Sequence, residues 1–360
     1  MSNVWGKNIQ LSIFGESHGP GIGVVLGHLP DGEAIDLQEV ARQMARRAPG
    51  GKGWSTPRSE GDQVEVLSGL YQGATSGAPL CGLIRNANTR SGDYANLKTH
   101  PRPGHADYAG QVRYHGHNDP RGGGHFSGRL TAPLVFAGAV AQQILARRGV
   151  YVGAHVARAG EIPDAPFDPL DPDPAPLLAM TGRLFPAQDE AAAREMIAAI
   201  EAARMAQDSL GGQIEVKAVG VPAGLGDPFF RSFESVFASL AYAIPAVKAV
   251  AFGAGEDFAR MRGSDANDPF ALREGRVVTQ TNHTGGINGG ITNGMPVLAR
   301  LTFRPTPSIS QPQRTVDLAS MREDPLVVKG RHDPCILPRA VPVVEAAMAL
   351  TILDFLGEAW

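Results

Sequence analysis

Apolar positions recur along this chain at two periods, one strand-like and one helical. Alternation or short apolar runs predict strands over 9–14, 20–27, 64–70, 80–84, 150–157, 214–221, 246–253 and 297–303. Leu37, Val40, Ala41 and Met44 share one helical face, and Asp36 stands where an N-cap belongs, so a helix is expected over 37–47. Further helices are expected over 127–148, 189–206, 233–243 and 340–353. The second of these five ends on Arg147 and Arg148 followed by Gly149, which is good stop chemistry. Residues 161–186 are dense in proline and aspartate. They read as an exposed excursion that cannot be a packed helix or central strand. Helices and antiparallel-looking strand pairs follow one another without a strict βαβ rhythm. The expected class is therefore α+β, in one large domain over 1–360.

Composition narrows the function. A net charge of −3 argues against a nucleic-acid binder driven by a global positive field. Cys81 and Cys335 are distant and form neither a metal-ligand spacing nor a disulfide framework, which fits a reduced, cytoplasmic protein. The N-terminus lacks a signal-peptide apolar stretch. The most apolar run, 340–353, falls short of the roughly 20 residues that span a bilayer, so no membrane association is expected.

Candidate chemistry concentrates in 100–131, which holds five of the ten histidines: His100, His105, His115, His117 and His125. There Arg121-Gly122-Gly123-Gly124 leads through Ser127 and Arg129 into a helix. Glycine permits close backbone approach, and a helix N-terminus attracts anions. Imidazoles beside such a site suit proton transfer near neutral pH. Arg46, Arg47, Arg102, Arg121, Arg129, Arg304 and Arg331 all sit in loops or at helix ends. That pattern fits a ligand with several anionic groups, and at least four are expected to line one pocket.

Gly15-Glu16-Ser17-His18-Gly19 matches the nucleophile elbow of serine hydrolases, but a strand-like segment follows it where the elbow requires a helix. Gly50-Gly51-Lys52-Gly53 is not a phosphate loop of the Walker type, because Gly53 stands where Ser or Thr is needed. Zinc motifs are missing too. A hydrolase built on Ser17, or an anion-binding module built on the arginines, remain the alternatives to an enzyme of proton transfer.

Taken together, five stretches resemble the chorismate synthase family. They are Gly15 to Gly19, Arg102-Pro103-Gly104-His105-Ala106-Asp107, the Arg121 to Arg129 run, Asn282-His283-Thr284-Gly285-Gly286-Ile287-Asn288-Gly289-Gly290-Ile291, and Gly330-Arg331-His332-Asp333-Pro334-Cys335. The resemblance implies helices sandwiched between antiparallel sheets, and a homotetramer. It implies anti-1,4-elimination of phosphate from 5-enolpyruvylshikimate 3-phosphate to give chorismate. It also implies reduced FMN as cofactor, from an external source, with no net redox change. By resemblance Ser17, Arg47, Arg102, Arg129 and Arg331 hold the substrate. His18 protonates the departing phosphate, His105 the reduced flavin, and Asp333 helps the flavin N5 take up the ring hydrogen. The flavin is expected against His125, Phe126, Ser127, Ala246, Gly289, Arg304, Pro305, Thr306, Pro307, Ser308 and Arg331. The chain departs from the usual family pattern at His125, Phe126, Gly128 and Leu130, where Arg, Ser, Ala and Glu are common. It departs again at Gly53, where an arginine is expected and Lys52 or Arg58 could substitute, and at Pro245 in place of an asparagine.

Overall fold

A computed structural model describes residues 4–50, 61–86, 97–328 and 333–357. In chain order, the first sheet contributes β1 (Gln10–Gly15) and β2 (Gly21–Gly27). Helix α1 (Leu37–Arg47) follows, then β3 (Val64–Ser68) and β4 (Leu80–Arg85). Helices α2 (Asp107–Arg113) and α3 (Thr131–Ala146) lead to β5 (Tyr151–Ala159). The rest of the frame is β6 (Ile162–Pro163), α4 (Ala175–Thr181), α5 (Glu190–Met205), β7 (Gly212–Val219), α6 (Phe233–Ala241), β8 (Val247–Phe252), β9 (Val297–Phe303) and α7 (Leu337–Leu356).

Two antiparallel sheets enclose the helical layer. One has the order β1-β2-β4-β3, the other β8-β9-β7-β5-β6. Helix α3 packs on β2 and β4, α7 packs on β5 and β7, and the two helices pack on each other. The layers are therefore sheet, helix, helix, sheet, an α+β sandwich in a single domain. Both central helices are buried on nearly every side, as their predominantly apolar sequences require. The 128–146 segment is apolar and long enough to cross a membrane, but 78% of it is buried in the protein, which makes it a core helix.

Small residues set the thickness of this layer. A Cβ on Gly82 of β4 would lie 2.5 Å from the Phe136 ring of α3, so the helix presses directly on the sheet. A Cβ on Gly138 would lie 2.1 Å from Ala346 Cβ, so α3 and α7 cross almost backbone to backbone. Two buried carboxylates on α7 tie it outward. Glu345 accepts from Arg46 of α1 and, at 3.0 Å, from the Ala154 N–H of β5. Asp354 accepts the N–H groups of Lys7, Asn8 and Ile9.

Part of the 161–186 stretch is packed. It contains β6 and α4, and Phe167, Leu177 and Met180 are buried against Val219 and Leu298 as a small second core. Proline does not prevent this, because Pro174 and Pro176 occupy the cap and first turn of α4, where a missing N–H costs nothing. Asp173 accepts the Ala175 N–H there. Beneath the segment, Lys217 reaches the carbonyls of Asp168 and Asp171 at 2.9 and 2.6 Å. Fully buried His155 bridges Asp164 at 2.7 Å and Glu215 at 3.2 Å.

Candidate active site

The Gly15–Gly19 stretch is the turn of the β1–β2 hairpin, with Gly15 at φ +95°. Strand follows the turn, so it is not a nucleophile elbow. Ser17 Oγ lies 3.0 Å from His18 Nδ1 and 3.2 Å from the carbonyl oxygens of both Arg121 and Gly122. A hydroxyl has one proton and the carbonyls can only accept. The consistent assignment sends that proton to a carbonyl and has His18 Nδ1 donate to Ser17.

The Arg121–Phe126 turn faces this hairpin, and Gly122, Gly123 and Gly124 all have positive φ. Space as well as conformation demands glycine. A Cβ on Gly122 would lie 2.1 Å from His18, and one on Gly123 would lie 3.2 Å from His105 Nε2. His18 and His105 thus pack against two consecutive glycines of one bare backbone wall.

Two arginine–carboxylate nodes flank that wall. In the first, Asp62 pairs with Arg47 at 2.8 Å and with Arg129. Arg47 also donates to the Gly128 carbonyl and to Thr131 Oγ1. Arg129 donates to Asn86, whose amide binds the carbonyls of Glu16 and Gly19 and so fastens the His18 turn. Burial would push the Asp62 carboxyl up, but the Arg47 and Arg129 guanidiniums outweigh it and hold it below its ordinary value.

In the second node, Asp107 at the start of α2 accepts from Arg102 Nε and Nη2, both at 2.8 Å, and lies 2.6 Å from His105 Nδ1. Arg102 Nη1 donates to Ser308 Oγ at 3.1 Å. Burial again opposes ionisation of Asp107, and hydrogen bonds from Arg102 and His105 reverse it, leaving the carboxyl well below the usual range. Arg304 reaches the Gly104 carbonyl, its guanidinium filling the space a Cβ on Gly104 would need.

Asp333 pairs with Arg339, and Arg339 Nε donates to the Arg47 carbonyl at 2.9 Å, so this carboxylate is anchored to the first node. Arg102 approaches Gly123, Arg304 holds the Gly104 carbonyl within the same motif, and Arg47 and Arg129 meet at Asp62. Two expected arginines take no part: Arg46 turns inward to Glu345, and Arg121 pairs at the surface with Asp119. Arg331, Lys52, Gly53 and Arg58 lie outside the described residues.

The residues expected along the flavin form a looser group. His125 Nδ1 binds the Gly15 carbonyl at 2.9 Å, and Ser127 Oγ accepts the Arg129 N–H. Phe126 lies on α2, where a Cβ on Gly110 would be 2.6 Å from its ring, and its centroid is 6.2 Å from that of Tyr114. Ala246, at φ +77°, accepts the Arg304 N–H from the segment after β9. Pro305, Thr306 and Pro307 continue that segment to Ser308, and the Thr306 carbonyl accepts from Ser209 Oγ. Thr306 Oγ1 is buried and has no hydrogen-bond partner among the described residues. Gly289 is apart from both nodes, at the turn joining Ile287–Asn288 to Ile291–Thr292; the next residue, Gly290, faces Ser232 and Pro228. His100 pairs with Asp324. A surface groove of about 360 Å³ beside Tyr108, Val112 and Leu318 contains none of these site residues.

Sequence reasoning missed Asp62, Asn86 and Arg339, and gave Asp107 no role. Asp107 carried a usable signal, since it closes the same short motif as Arg102 and His105. The other three have no local pattern and come together through tertiary contacts alone.

The family model for chorismate synthase matches residues 9–356. The chain is 46% identical over 351 residues to a chorismate synthase of Pyrococcus abyssi, covering 98% of this chain and 96% of that one. It is 47% identical to a chorismate synthase of Aeropyrum pernix, covering 98% and 92% of the two chains. A solved chorismate synthase structure superposes with a TM-score of 0.74 at 26% identity, covering 98% of this chain and 93% of that one. Sequence and fold agree, and the chain belongs to the chorismate synthase family.

Proposed function

We propose that this chain converts 5-enolpyruvylshikimate 3-phosphate to chorismate and phosphate by 1,4-elimination, using reduced FMN. The observation that carries this reading is the placement of His18 and His105 on consecutive glycines between two arginine–carboxylate nodes. The substrate bears two carboxylates and a phosphate, and Arg47, Arg102 and Arg129, with Ser17 and Arg331, are the groups to bind them. His18 gives a proton to the departing phosphate oxygen. The arginine guanidiniums beside that oxygen stabilise the charge that develops as the bond breaks. His105 holds and releases a proton at Nε2 on the cofactor side. Asp333, paired with Arg339, would assist the cofactor in taking up the ring hydrogen.

When bound, reduced FMN lends an electron to the substrate and recovers it, so the reaction has no net redox change. The chain's residues suit such a group. Thr306 Oγ1 offers a buried, unpartnered hydroxyl in the middle of the Arg304–Ser308 run, and Phe126 and Ala246 add apolar surface. The same reading includes a homotetramer, a cytoplasmic location, an external source of reduced flavin, and no nucleic-acid or membrane partner.

Purified chain, reduced FMN and substrate, mixed without oxygen, are expected to yield equal amounts of phosphate and chorismate. Their absence overturns the proposal. Labelling by a fluorophosphonate that Ser17→Ala abolishes would favour a hydrolase instead. The hairpin context of Ser17 and the donor assignment at His18 both oppose that outcome.

A further inference from the structure

The second node contains a relationship that the elimination chemistry does not by itself require. His105 Nδ1 has two polar neighbours, Asp107 Oδ1 at 2.6 Å and Arg102 Nη2 at 3.1 Å. A guanidinium nitrogen cannot accept, whereas a carboxylate oxygen can only accept. The Nδ1 proton therefore points to Asp107, and the Arg102 contact is a packing contact between two donors that share the same carboxylate. Asp107 is itself fixed. It accepts from Arg102 through the backbone N–H at 3.0 Å and through Nε and Nη2, and its side chain is 8% exposed. The carboxylate is thus held in place before His105 meets it, and the Arg102 hydrogen bonds keep it ionised against the opposing effect of burial.

The other ring nitrogen faces a different surface. His105 Nε2 and Cε1 lie where a Cβ on Gly123 would approach to 3.2 Å, so the ring edge abuts bare backbone. The imidazole is held between an acceptor on one side and a wall without side chains on the other.

We propose that Asp107 is a positioning residue for His105: it retains the Nδ1 proton, so that Nε2 alone exchanges a proton with what is bound beside Gly123. The step balances simply. The Nε2–H bond breaks, its electron pair stays on the ring, the proton passes to the ligand, and the imidazolium becomes a neutral ring that still carries hydrogen on Nδ1. Without Asp107 the neutral ring can take either tautomer and can rotate, and the fraction ready for exchange falls. This role rests on the proposed proton transfer at His105, but its geometric half can be tested without turnover.

The first measurement is nitrogen NMR of the full-length chain labelled with 15N-histidine, with His105→Ala used for assignment. The neutral His105 ring is expected to be protonated at Nδ1 and bare at Nε2, and Asp107→Asn is expected to mix or reverse the two. An Nε2-protonated ring in the unaltered chain overturns the proposal, as does a tautomer unaffected by Asp107→Asn. The second is a double-mutant cycle on kcat. Asp107→Asn is expected to lower kcat on the order of 10²-fold, the scale of a well-placed acid or base. It should change kcat less than about threefold when His105 is already alanine. Effects that multiply would show that Asp107 serves Arg102 instead, and overturn it. Should Asp107→Asn fold poorly, Asp107→Glu keeps the carboxylate and is expected to retain the Nδ1 tautomer; its loss there counts against the proposal. The predicted tautomer in a chain with no turnover would defeat the proposed reaction and leave the positioning geometry standing.

Discussion

Asp62 Oδ2 lies 2.8 Å from Arg47 Nη1, and both side chains are almost wholly buried. The same carboxylate also holds Arg129, so one anion fixes two guanidiniums that are proposed to meet the substrate. Removing one partner of such a cluster strands buried charge, which costs about 3–5 kcal/mol. Asp62→Ala is expected to lower unfolding free energy by that amount in urea titration and to raise KM for the substrate. The pH dependence has a definite sign. The folded carboxyl titrates below its ordinary value, so its contribution is complete above about pH 4 and fades as pH falls through the folded value. Asp62→Asn should flatten the acid limb of the stability curve. Acid unfolding unchanged in that variant would contradict this account.

Gly122 tests the wall itself. An added Cβ would meet His18 at 2.1 Å, in a backbone conformation at φ +60° that side chains avoid. Gly122→Ala must therefore move either the turn or the imidazole, and chorismate formation is expected to drop by about 10²-fold or more. Gly263, with open space around it and no positive φ, serves as the control. Gly263→Ala should keep the parental rate. Equal rates in the two variants would show that the close approach of Gly122 and His18 has no bearing on turnover.

Phe126 lies over Gly110 of α2. The two are complementary, because the ring occupies the space a Cβ would take. Gly110→Ala should destabilise the chain by about 1–3 kcal/mol through overpacking. In a Phe126→Ser background most of that cost should vanish. A double-mutant cycle by thermal or urea unfolding reads the difference, and strict additivity would refute the pairing.

The frame was readable where local chemistry decides the outcome. Asp36 caps α1 through its side chain, and Gly149 takes a left-handed conformation after α3, as the sequence suggested. Within the 161–186 stretch, helix α4 was missed because proline count says little about position. Two prolines at the start of α4 are compatible with a helix that buries Leu177 and Met180. In the site, the motif residues were visible and their supports were not. Arg47, Arg102 and Arg129 draw attention as charges beside glycine or proline, whereas Asp62 and Asn86 become meaningful only when separate loops meet. Arg46 and Arg121 looked similar in sequence, yet one found a buried glutamate and the other a surface aspartate.

His155 should make the attachment of the 161–186 segment sensitive to alkali. Burial would lower its ionisation, but Asp164 and Glu215 outweigh burial and raise it above the ordinary value; Arg300 pairs with Glu215 from β9, and Phe167 packs on the ring. A raised folded value means that the stabilisation is complete below about pH 6.5 and is lost as pH rises through the folded value. Thermal midpoints are expected to fall between neutral and alkaline pH, and His155→Gln should reduce that slope. Amide exchange along 157–189 should quicken over the same interval beyond its intrinsic pH dependence. A parental slope retained in His155→Gln would rule this out.

The contact of Gly138 with Ala346 carries a consequence for catalysis at a distance. The His18 turn projects from one sheet and the Arg304–Ser308 run from the other, while the crossing of α3 and α7 fixes how far apart the sheets stand. That crossing works as a calliper. A single methyl group added at its jaws would change the gauge of the whole sandwich, and the two halves of the site would fall out of alignment with every one of their own residues intact. Turnover therefore depends on the apolar centre of the molecule, where smallness itself is the property that matters.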